Sequence, residues 1–90
     1  MAHVNRDKKK LLSRVRRVAG QVAALEQALQ ADADCSAVLI QIAAAKGAMH
    51  SLMMEVLTGH LAEHVVAERD EAVRIRETAT IVELLRGYTK

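Results

Sequence analysis

The chain has 90 residues, a formal net charge of +2, 51% hydrophobic residues, one aromatic side chain (Tyr88), no proline and one cysteine, Cys35. That length fits one small domain, 1–90, of a size that usually leans on a partner copy or a metal for a robust core. A lone thiol excludes an internal disulfide and, with no signal-peptide pattern, points to the reducing cytoplasm; Gln41, Lys46, His50 and Glu55 break the apolar stretch between Ile40 and Leu57, so no membrane span is expected.

The charge is unevenly spread. Residues 1–20 hold seven basic side chains against Asp7, a net of +6, while the remaining 70 residues sum to −4. A small protein with its positive charge at one end usually has an anionic partner, and nucleic acid is the leading candidate. The first predicted helix runs from about Asn5 to Leu29. Leu11, Val15, Val18, Val22, Leu25 and Leu29 recur at steps of four and three, a seam that needs a helical neighbour. Beside it Arg6, Lys10, Arg14, Arg17 and Gln21 form a polar stripe. Gly20 interrupts the helix interior at about 1 kcal/mol relative to alanine, which suggests close backbone packing.

Ala31 to Asp34 breaks the pattern, and Asp32 or Asp34 is a suitable N-cap for the second helix. That predicted helix spans about Asp34 to Val66 and is apolar on nearly every side. Its small-residue middle, Ala43 to Ala48, would let two copies cross closely. Gly59 is its weak point. Ala67 to Ala72 reads as a polar turn, and a third helix extends from about Ala72 to Tyr88. The expectation is an all-α, three-helix protomer.

Cys35, His60 and His64 share one stripe of the second helix, yet Cys35 and His60 are 25 residues apart, roughly 38 Å of α-helix. An antiparallel second copy would bring the thiol of one chain beside both imidazoles of the other, twice over. His60 and His64 at i, i+4 can grip one ion. His3 lies in what reads as a flexible tail. Removal of the initiator methionine before Ala2 would place the Ala2 amine beside the His3 imidazole. Such mixed nitrogen, oxygen and sulfur donors suit nickel or cobalt, with zinc a further ion they could take in vitro. Asp34 and Glu63 adjoin these positions as supporting groups or an extra oxygen donor. His50 reads as an interface residue, and Met49, Met53 and Met54 as packing. No nucleophile–base set, phosphate loop or carboxylate pair is evident, and Leu61 stands where a zinc protease needs glutamate, so an enzyme is not expected.

Three stretches, DKKKLLSRVRRVAGQV (7–22), DCSAVLIQIAAAKGA (34–48) and MMEVLTGHLAEH (53–64), resemble the copper-sensing operon repressor family across essentially the whole chain. The resemblance implies an all-helical dimer, two of which form a flat tetramer that binds operator DNA until an effector releases it. His3, Cys35, His60 and His64 match its nickel/cobalt-responsive, RcnR-type branch, in which these side chains and the N-terminal amine bind metal. The formaldehyde-responsive branch is similar in helix one and also uses a cysteine at the position of Cys35, with the N-terminal amine. It has proline where this chain has Ala2, and no histidine at His3 or His64. Carried over by position, Arg14, Arg17 and Lys46 are the leading DNA contacts, supported by Lys10, Arg6 and Gln21. Two departures stand out: His50-Ser51 replaces a usual Asn-Gly, and Lys46 replaces a usual arginine, keeping the charge without the bidentate fork. The resulting expectation is a cytoplasmic repressor of a metal-efflux gene, released by nickel or cobalt. Its alternatives are a formaldehyde-responsive repressor and a helical metal-binding protein with no role on DNA.

Overall fold

The computed structural model describes residues 2–88, and every regular element among them is helical. In chain order these are α1 (Ala2–Arg6), α2 (Lys8–Gln30), α3 (Cys35–Leu61), a π-helical turn (Ala62–Val66) and α4 (Glu71–Tyr88). The chain forms two compact units, Met1–Val56 and Leu57–Lys90.

Helix already begins at Ala2, ahead of the expected start near Asn5. The Asp7 amide donates to His3 O at 3.0 Å and the Leu11 amide to Asp7 O at 2.9 Å, so the ladder carries through the junction between α1 and α2. Asp7 itself (φ −97°, ψ 16°) leaves helical geometry and makes no side-chain cap, which sets the break there. The tail expected to be flexible is therefore helical, and His3 within it is 1% exposed.

Helix α2 ends in a Schellman arrangement. The Ala33 amide reaches Ala28 O at 3.0 Å and the Asp32 amide reaches Leu29 O at 3.3 Å, with Asp32 in the left-handed region at φ 55°. Aspartate tolerates that conformation better than most side chains, though less well than glycine. Asp34 then caps α3, its Oδ1 accepting from the Ala37 amide at 3.0 Å. With this turn, α2 and α3 run antiparallel within the first unit. Lys10 meets Glu55, Arg14 meets Ser51, and Gln41 Nε2 donates to both Gln21 O (3.0 Å) and Gln21 Oε1 (2.7 Å).

The predicted apolar seam of α2 divides in two. Leu11 and Val18 are buried, but Val15, Val22 and Leu29 are each close to half exposed or more. The two rows lie side by side on one face of the helix, and only one of them is covered within the protomer. Gly20 has nothing within 4 Å of where a Cβ would stand, so the close packing expected there is absent within the protomer; Gly47 is equally open. On α3, Leu39, Ile40, Ile42 and Met49 are likewise exposed. By length and composition alone, Cys35–Val66 could cross a membrane. Its Gln41 and Glu55 are instead bound to side chains of α2, as in a helix packed within protein.

In the second unit α3 continues through Gly59 to Leu61 without the break that glycine threatened, then widens into the π turn, closed by the Ala67 amide on Ala62 O at 3.0 Å. Asp70 caps α4, its Oδ1 accepting from the Ala72 (2.9 Å) and Val73 (3.4 Å) amides. Glu68 ties the preceding loop through the Asp70 amide and Arg74 Nη1. Helix α4 returns onto the π turn, and among the described residues of this unit Leu57 and Ile81 are the buried apolar ones.

Candidate metal centre and candidate nucleic-acid interface

His60, in the last turn of α3, and His64, within the π turn, have ring centroids 4.7 Å apart and planes inclined at 47°. The i, i+4 spacing therefore does place the two imidazoles together. π-Helical turns recur at functional sites because the added residue re-aims the side chains they carry. His60 Nε2 lies 3.0 Å from Glu77 Oε2 of α4. A carboxylate only accepts, so Nε2 is the donor in this contact and Glu77 fixes the direction of the ring. In the same turn, Glu63 Oε2 is buried with no hydrogen-bond partner among the described residues. Two adjacent imidazoles, one of them held by a carboxylate, supply nitrogen donors that fit a borderline divalent ion, and the unpartnered Glu63 oxygen lies in the same turn of the chain.

Cys35 is exposed as the first residue of α3, whereas His60 stands near that helix's other end. Asp34, expected as a supporting group, is the α3 N-cap. The side chain of Ala2 and the whole of Met1 lie outside the described residues.

Of the basic stripe, Lys10 Nζ donates to Glu55 Oε1 at 2.6 Å, Arg14 Nη2 lies 3.6 Å from Glu55 Oε2, and Arg14 Nη1 donates to Ser51 Oγ at 2.6 Å. The Lys10 hydrogen bond holds the Glu55 carboxyl below its ordinary value; the charges of Lys10 and Arg14 add to this and partial burial opposes it. Arg6 approaches Asp7 only to 3.9 Å, and Arg17 and Lys46 are exposed. Arg6, Lys9, Lys10, Arg14 and Arg17, with Ser13 and the acidic Asp7, line a shallow open concavity, a surface of net positive charge. Gln21 O and Oε1 both accept from Gln41 Nε2 of α3.

Residues 7–86 match the family described as metal-sensitive transcriptional repressor. The chain belongs to that family. It is 47% identical over 90 residues to the transcriptional repressor RcnR of Salmonella paratyphi B, with all of both chains covered. It is also 48% identical over 91 residues, again with full coverage of both, to a Serratia marcescens protein described as an uncharacterized protein in the bioA 5′ region. Its fold is similar to the solved formaldehyde-responsive regulator FrmR of Salmonella enterica serovar Typhimurium, in a glutamate-to-histidine variant. There the TM-score is 0.82 at 46% identity, covering 92% of this chain and 94% of that one. This is accordingly a metal-sensitive transcriptional repressor of RcnR/FrmR type, with the all-helical fold of that group and no enzymatic role.

Within this repressor, two features of the candidate sites were not visible in the sequence pattern. Glu77 stands 17 residues from His60, and only the return of α4 brings them together. Glu55 is one acidic residue in an apolar helix, and nothing in its spacing announces that it holds two of the stripe's cations.

Proposed function

We propose that the repressor holds operator DNA in its metal-free state and is released by nickel or cobalt, switching on a metal-efflux gene. The adjacent His60 and His64 rings carry this reading, and the full-length similarity to RcnR supports it. In this proposal His60 and His64 of one copy act with Cys35 of an antiparallel second copy. His3 and the Ala2 amine are further donors, and Glu63 supplies an oxygen or a hydrogen bond. Exposed Leu39, Ile40, Ile42 and Met49 on α3 and Val15 and Val22 on α2 support a paired assembly, a dimer and then a tetramer. Arg14, Arg17 and Lys46, with Lys10 and Arg6, form the DNA face. Metal and DNA then oppose each other through a coupling that linkage makes reciprocal, typically 1–3 kcal/mol.

The test is a DNA-release titration with nickel and cobalt, using duplex from the region upstream of the gene. His64→Leu should need far more metal for release; release at the wild-type concentration refutes the site. A second reading makes formaldehyde the inducer, through Cys35 and the N-terminal amine. The exposed Cys35 and the likeness to FrmR favour it. Release by formaldehyde at concentrations where neither metal acts would establish that reading in place of the first.

A further inference from the structure

The basic surface of the first unit contains an anion. Glu55 Oε1 accepts from Lys10 Nζ at 2.6 Å, Glu55 Oε2 lies 3.6 Å from Arg14 Nη2, and Arg14 is fixed a second time by Ser51 Oγ at 2.6 Å. Two of the cations on this face are therefore tethered, and their charge is partly offset. Arg17, one turn further along α2, has no hydrogen bond or ion pair among the described residues and stands exposed. The stripe thus mixes held and unheld cations.

We propose that Glu55 is a positioning residue for DNA binding, which fixes the directions of Lys10 and Arg14 and subtracts one charge from the pair. The inference rests on the DNA reading above. A lysine on a flexible stem neutralises any phosphate within reach, whereas one anchored at 2.6 Å offers its remaining N–H groups in set directions. Phosphate contacts of fixed geometry set register, and loose ones add affinity to any sequence. The carboxylate also repels phosphate directly. The triad of Lys10, Arg14 and Glu55 presents a net +1 where the two cations alone would present +2, so Glu55 weakens indiscriminate attraction while keeping both donors aligned.

The test measures metal-free, full-length protein by fluorescence anisotropy on the upstream duplex and on a scrambled duplex of equal composition, between 50 and 200 mM salt. Glu55→Gln keeps the shape of the side chain and removes its charge. It should steepen the slope of log affinity against log salt by about 0.9 for each additional phosphate neutralised, an extra loss of about 3.5-fold across that salt range. It should also tighten binding to the scrambled duplex more than to the upstream one. A purely structural role would leave the salt slope unchanged, so an unchanged slope in folded Glu55→Gln overturns the proposal. Lys10→Met and Arg17→Met test it without altering Glu55: the offset Lys10 should flatten the slope less than the unheld Arg17, and equal flattening overturns it. Wild-type protein that binds neither duplex at 50 mM salt removes the DNA reading itself and this inference with it.

Discussion

Glu77 offers the sharpest test of the candidate metal centre, because it reaches His60 without being one of the proposed donors. Its Oε2 lies 3.0 Å from His60 Nε2, and His60 and Glu77 side chains are only 16% and 26% exposed. Carboxylates that hold a ligand histidine fix its tautomer and ring direction, and their loss typically lowers metal affinity 10–100-fold, about 1.4–2.8 kcal/mol. Glu77→Gln retains a carbonyl oxygen that can accept from Nε2, so it removes charge while keeping the hydrogen bond, and about 10-fold is expected. Glu77→Ala removes both and should approach the upper end. Nickel affinity is read by competition with a chelator, alongside affinity of the metal-free protein for the upstream duplex. The expected result is graded loss of nickel binding with DNA binding unchanged. Equal nickel affinity in wild type, Glu77→Gln and Glu77→Ala would refute the reasoning, since an imidazole outside the site is indifferent to its partner.

The other predictions concern stability. Asp70→Ala removes the acceptor for the Ala72 and Val73 amides and should lower unfolding free energy by about 1 kcal/mol in urea titration. Gly20→Ala meets nothing within 4 Å in the protomer. It should therefore raise stability by about 1 kcal/mol, roughly 4–8 °C in Tm for a chain of this size; a fall in Tm would reveal a second copy packed at that point. Glu55 has a folded-state pKa below its ordinary 4.5, so its stabilising contribution is present above that value and is lost as pH falls through the lowered one. The urea midpoint should decline with acidification below about pH 4.5, and Glu55→Gln should flatten that part of the profile.

Much of the architecture was legible because helices advertise themselves through spacing. The i, i+4 relation of His60 and His64 survives in the folded chain because both lie on nearly continuous helix. The polar tetrad Ala31 to Asp34 marked the reversal, with Asp34 as cap. Spacing does not report which of two apolar rows meets the neighbouring helix. The seam running from Leu11 to Leu29 therefore looked uniform, yet it buries Leu11 and Val18 and leaves Val15 and Val22 exposed. The break at Asp7 depends on local dihedral angles, with no proline or glycine to signal it. Glu77 and Glu55 act through contacts 17 or more residues away in sequence, which periodicity cannot register.

The wide turn at Ala62–Val66 carries one residue more than an α-helical path would need. Deleting Val65 would let that stretch tighten to ordinary α geometry at little loss of main-chain bonding. The chain would then leave the turn about 100° away from its present direction, and the loop at 67–70 would have to take a new path to bring Glu77 back to the ring it now steadies. The pairing of the His60 ring with its carboxylate thus depends on the number of residues at this one point of the chain.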